Sequence, residues 1–144
     1  MTKKILLVCL VISLSFKATA QEWQSDLQEA KKIATVENQK IILVFQGSDW
    51  CAPCIKLDNE IWSSDEFKAY SKGHYVMLLA DFPRKKKNKL SKSQQEKNNK
   101  LAEEYNKQGF FPFVAVLDKN GVLLGSTGYK KVSVTDYIEI LNSI

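Results

Sequence analysis

Gly47-Ser48-Asp49-Trp50-Cys51-Ala52-Pro53-Cys54 follows the apolar run Ile41-Ile42-Leu43-Val44-Phe45 and leads into a segment of helical character. Five consecutive apolar residues, β-branched at the start, predict a central strand covered on both faces. Two cysteines separated by two residues at a strand-to-helix turn form a dithiol that can close into a small ring and reopen. Cys51 falls at the amino end of the helix, where unpaired N–H groups and the helix dipole stabilise a thiolate. Such a setting lowers a thiol pKa from about 8.5 toward roughly 3.5–7.5. Cys51 is therefore the expected nucleophile, and Cys54, one turn in, the resolving thiol. Pro53 in the first turn forfeits no helix hydrogen bond, because its N–H would have been an orphan. With Ala52 it supports the turn. Two other readings of the pair are a zinc half-site and an inert bridge. Zinc takes four ligands, and residues 21–144 add only His74 to the two sulfurs. An inert bridge gains most by closing a long loop, and this one would close a very short one.

Residues 1–20 stand apart. Lys3 and Lys4 precede the weakly polar to apolar stretch Ile5 to Phe16, which ends in Ala18-Thr19-Ala20. A positive start, a short apolar centre and a small-x-small end describe a secretory signal peptide, with cleavage expected after Ala20. Twelve helical residues rise only about 18 Å against a hydrocarbon layer of roughly 30 Å, which favours a cleaved leader, with no permanent membrane span afterwards, over the alternative of an uncleaved anchor. Cys9 lies inside the apolar centre without the small residue before it that lipid attachment needs. Three lysines and no acid leave with this segment, taking the net charge from +5 to +2. No basic surface interleaved with aromatics is evident, so nucleic acid is not an expected partner. A periplasmic or otherwise exported location follows, and in such a compartment a lone cysteine pair is more plausibly chemical than structural.

The single domain expected over residues 21–144 reads in order as follows. Ser25 with Gln28 suggests a capping box for a helix carrying Leu27, Ala30, Ile33 and Ala34 to about Asn38. The helix after the cysteine turn runs to about Trp62. Ser64 opens a short helix containing Phe67 and Tyr70 and closed by Gly73, and Tyr75 to Asp81 is the next strand. Arg84 to Lys100 carries eight basic residues against Glu96 alone, a local charge of +7 against −5 for the remainder of residues 21–144. Leu101 and Tyr105 continue this segment as a helix to Gly109. Phe111-Pro112-Phe113 begins a strand that runs through Leu117, Asp118-Lys119-Asn120-Gly121 is a hairpin turn, and Val122 to Gly125 the return strand. Ser133 starts a final helix with Tyr137, Ile138, Leu141 and Ile144 facing inward.

Trp50-Cys51-Ala52-Pro53-Cys54 resembles the active-site stretch of the thioredoxin superfamily, and the run on to Phe67 is similar to the thioredoxin-like proteins of bacterial envelopes. The resemblance implies an α/β thioredoxin fold: a central mixed sheet flanked by helices, with a lysine-rich insertion before the third core helix. It also implies that Trp50 borders the substrate surface. Phe111-Pro112 stands where that family has a cis-proline loop, whose residue before the proline pairs its backbone with an extended substrate segment. Phe111 and Phe113 depart from the small or β-branched residues usual there. A second departure is at Phe45, where thioredoxins carry a buried acid that helps move the proton of the resolving thiol. The accompanying lysine is replaced by an apolar residue near Met77. Both charges are missing together, as burial requires, since one alone would be unpaired. Asp49 or water would then assist Cys54, although Asp49 also reads as a solvated turn residue.

The activity implied is thiol–disulfide oxidoreduction, in the direction of reducing disulfides of exported proteins, with a membrane electron donor recharging the pair. No cofactor and no metal are expected. The alternatives are a disulfide oxidase or isomerase, or a non-catalytic binding module. The lysine run reads as a solvated loop or, more sharply, as a docking surface for an acidic partner.

Overall fold

The computed structural model describes residues 21–144, so the signal peptide assigned to residues 1–20 lies outside the described residues. Strand β1 (Trp23–Gln24) precedes helix α1 (Leu27–Glu37) and strand β2 (Lys40–Gln46). Helix α2 (Ala52–Leu57) continues through a wide π turn, Asp58–Trp62, and is followed by α3 (Asp65–His74) and β3 (Tyr75–Asp81). A short 3-10 turn, Lys86–Asn88, precedes α4 (Lys92–Tyr105), and β4 (Phe113–Leu117), β5 (Leu123–Thr127) and α5 (Val134–Ser143) complete the chain. The sheet order is β1-β3-β2-β4-β5. β1 and β2 run parallel to β3, whereas β4 is antiparallel to β2 and β5 to β4.

β2 is central because its sequence allows nothing else. Ile41 through Phe45 are fully buried, and alternate residues supply two cores. Ile42 and Val44 pack with Leu57, Ile61, Trp62, Phe67 and Tyr137 on one face, and Ile41, Leu43 and Phe45 with Ala30, Ala34, Leu101 and Tyr105 on the other. This is the expected thioredoxin fold, helices covering both faces of a mixed sheet.

Local expectations needed correction in four places. Asp26, not Ser25, caps α1, its carboxylate accepting from the N–H groups of Gln28 and Glu29. Gly73 lies inside α3 rather than closing it, because the chain leaves the helix directly into extended backbone at Tyr75 and needs no left-handed residue. The two-residue β1 was not foreseen, being too short for any periodicity; it pairs with Met77 and Leu78. The basic run also divides: Lys92, Lys97 and Lys100 belong to α4, and Lys97 forms an ion pair with Asp26 at 2.7 Å. The inserted loop before that helix is thus confined to residues 82–91.

Candidate active site

The site stands at the carboxyl end of β2, where Gly47 to Trp50 turn the chain into α2. The Gly47 carbonyl accepts from the N–H groups of Trp50 and Cys51, at 3.2 and 2.9 Å. Cys51 is the residue capping α2, and the N–H of Cys54 points back at its sulfur at 3.3 Å. Pro53 occupies the first turn. Cys51 and Cys54 are joined in a disulfide with Cα atoms 5.2 Å apart. Both are buried, at 4% and 2% exposure, whereas Ala52 and Pro53 are exposed. The outer turn is therefore presented to solvent while the two cysteines lie largely covered.

Trp50 lies across Gly47. A Cβ at position 47 would come within 2.2 Å of the indole, so no larger residue fits beneath the ring as placed. The indole N–H donates to the Phe82 carbonyl at 2.8 Å. Its ring meets Phe111 edge-on at 5.4 Å, and Phe111 meets Phe82 at 5.5 Å. The Phe111–Pro112 peptide is cis. Because Phe113 pairs with Phe45, Pro112 falls opposite the end of β2, on the sheet edge from which the cysteine turn departs. The fold thus brings Trp50, Phe111, Pro112 and the cysteine pair to one rim. Phe82, whose carbonyl accepts the Trp50 N–H, was missed, since no local pattern links residues 32 apart.

Phe45 fills the place of an acid with hydrocarbon. It is fully buried and packs on Phe113 at 6.0 Å, which accounts for a phenylalanine at 113 where a smaller residue was expected. Its partner across the parallel ladder is Ala80, on the same face. Leu78, next to Met77, shares that face, so the β3 residues on the Phe45 side are apolar, while Met77 itself belongs to the other core.

Asp49 proves to be an anchor. Its carboxylate accepts from the N–H groups of Arg84 and Lys85 and from the Asn88 side chain, at 2.9, 3.0 and 2.9 Å. The Arg84 N–H, then the Asn88 amide, hold its carboxyl down to about 2. Its oxygens are thus engaged by the backbone and the Asn88 amide of residues 84–88. A second tie joins Ser48 to the Asp81 carboxylate through its N–H and hydroxyl, at 2.9 and 2.6 Å. A depressed folded-state pKa means that the Asp49 anchor is present above the ordinary carboxyl range near about 4. It is lost only as pH falls through about 2. Asp49→Ala is expected to speed amide hydrogen exchange at Arg84 and Lys85 roughly tenfold, and in the wild type that protection should persist at pH 4.

His74 stacks on Tyr70 at 3.9 Å, at the opposite end of β3 from Asp81. A seven-residue strand spans ~20 Å, so no zinc site can combine His74 with the cysteines. Among the described residues no group of three or more His, Cys, Asp or Glu side chains is placed to hold a metal ion, and no helix is long and apolar enough to cross a membrane.

A family model described as thioredoxin-like matches residues 22–119. The disulfide bond reductase DsbH of Chlamydia pneumoniae is 34% identical over 122 residues, covering 85% of this chain and 71% of that protein. A solved structure of a DsbH oxidoreductase superimposes with a TM-score of 0.79 at 32% identity, over 88% of this chain and 85% of the other. A thioredoxin from Thermus thermophilus, 12% identical, shares the fold with a TM-score of 0.63 over 87% of each chain.

Proposed function

We propose, from the premise that the chain belongs to the thioredoxin-like family and is a thiol–disulfide oxidoreductase of the DsbH type, that it reduces disulfides of exported proteins. The observation that carries the chemistry is the Cys51–Cys54 pair at the first turn of α2, with a backbone N–H directed at the Cys51 sulfur. What supports the direction is likeness to a relative named as a reductase. What supports export is the signal-like sequence of residues 1–20, removed after Ala20.

In the reduced protein the Cys51 thiolate, stabilised by the N–H groups at the start of α2, attacks one sulfur of a substrate disulfide. A mixed disulfide forms, and the first substrate thiolate departs and takes a proton. Cys54 then loses its proton to solvent and attacks the Cys51 sulfur. This closes the Cys51–Cys54 disulfide and expels the second substrate thiolate, so two electrons have passed to the substrate. Phe45 stands six residues before Cys51, where the resembled family carries its acid, and brings no carboxylate, while Asp49 is engaged by the loop. Deprotonation of Cys54 therefore depends on bulk base, and the second step should accelerate with pH. Trp50, Phe111 and Pro112 form the surface on which the substrate segment lies. A membrane-bound dithiol donor returns the pair to the reduced state.

The test is the equilibrium potential of the pair against glutathione. Dithiols on this fold range from about −270 mV for reducing to about −120 mV for oxidising proteins, and 30 mV corresponds to about 1.4 kcal/mol for two electrons. A reductase is expected below about −230 mV. A value near −120 mV would reverse the assigned direction.

A further inference from the structure

The first half of the basic run is built onto the rim of the redox site. Arg84, Lys85, Lys86, Lys87 and Lys89 are all exposed. Among the described residues the ion pairs are Lys32–Glu29 and Lys97–Asp26, so none of these five cations is matched by a carboxylate. Nor is the loop that bears them a loose excursion. Asp49, two residues before Cys51, binds it through two backbone N–H groups and the Asn88 amide. The Arg84 guanidinium lies 3.7 Å over the Trp50 ring. Asp49 thus directs its oxygens at the loop's backbone and Asn88; the Arg84 head rests on Trp50, and Lys85, Lys86, Lys87 and Lys89 stay exposed and, among the described residues, without an ion pair beside the surface that a substrate must cross. The second half of the run diverges from the site along α4, where Lys97 is already engaged by Asp26.

We propose that this rim selects disulfides flanked by acidic residues: carboxylates of a protein partner dock on Arg84–Lys89 while its disulfide is presented to Cys51. The proposal rests on the exchange reaction set out above. Five like charges within six residues raise a positive potential that persists over a Debye length of about 10 Å at 0.1 M salt. Steering of this kind raises association rates by factors of about 10 to 1000. An anionic bilayer carries the same charge. Seated on this rim, however, it would cover Trp50 and with it the approach to Cys51, which is only 4% exposed. A protein segment can bring charge and disulfide together.

The experiment reduces the full chain and follows its oxidation by two disulfide peptides that differ only in three glutamates or three glutamines beside the disulfide. The acidic peptide should react about tenfold faster in 20 mM NaCl, and the advantage should vanish in 500 mM. The triple variant K85E/K86E/K87E should favour the glutamine peptide. The double variant K68E/K72E, on α3 near the start of β3, should keep the original order. Rates equal within twofold at low salt, a preference indifferent to salt, or one that survives charge reversal would overturn the proposal. So would a rim that sediments with phosphatidylglycerol vesicles while showing no peptide preference. If neither peptide exchanges, the redox function itself fails and takes the proposal with it; a failure of the rim alone leaves the glutamine peptide reacting normally.

Discussion

Cys51→Ser is expected to lower disulfide reduction by a factor of about 1000 or more, the scale on which loss of an attacking nucleophile is felt. An alcohol in place of the thiolate cannot form the mixed disulfide at all. Cys54→Ser is expected to behave differently. Capture by Cys51 continues, but nothing one helical turn away displaces what has been captured, so mixed disulfides accumulate and turnover stops. Insulin reduction measures the first effect, and non-reducing electrophoresis the second. The asymmetry follows from placement. Cys51 caps α2 with an N–H directed at its sulfur, whereas Cys54 lies inside the helix at 2% exposure. Equal loss of capture in both variants would contradict the assignment of roles. A module that only binds partners would keep its affinity in both.

Trp62→Ala should lower the free energy of unfolding by about 3–5 kcal/mol, a large share of the roughly 5–15 kcal/mol that holds a domain of this kind together. Trp62 is 1% exposed and meets Trp23, Phe67 and Tyr137 edge-on at 6.2, 4.8 and 5.5 Å. It therefore joins β1, α3 and α5 across one face of the sheet. Its indole N–H finds no hydrogen-bond partner among the described residues. Trp62→Phe should consequently cost much less, within about 1.5 kcal/mol of the wild type, because it keeps most of the ring contact and removes a donor whose burial is itself unfavourable. Urea unfolding monitored by circular dichroism separates the two. Similar losses in both variants would mean that the indole N–H is satisfied in solution.

Which features could be read in advance follows from the range over which each is encoded. Ile41 to Phe45 announce a doubly covered strand because five adjacent apolar side chains leave neither face for water. Cys51 and Cys54 announce an exchange pair because three residues of helix suffice to juxtapose them. Asp118 and Gly121 announce the hairpin because the turn is closed by its own residues, the Asp118 carboxylate accepting from Asn120 and Val122. All of these are settled within a few positions of the chain.

Other features waited on folding. Nothing near Asp49 in the chain distinguishes a solvated turn residue from the clamp that binds Arg84 and Lys85, 35 and 36 positions later. Nothing near Trp50 reveals that Phe82 receives its N–H or that Arg84 covers its ring. The basic run looked like one surface until helix geometry sent half of it along α4 and the Asp49 carboxylate pinned the other half at the redox site. Parallel pairing of β2 with β3 is what sets these segments side by side, carrying the end of β3 to the end of β2 in full register. The chemistry was therefore written locally, in a dithiol that needs only a turn. Its surroundings depended on backbone ladders between distant segments, whose partners are chosen by burial of whole faces and not by any short pattern.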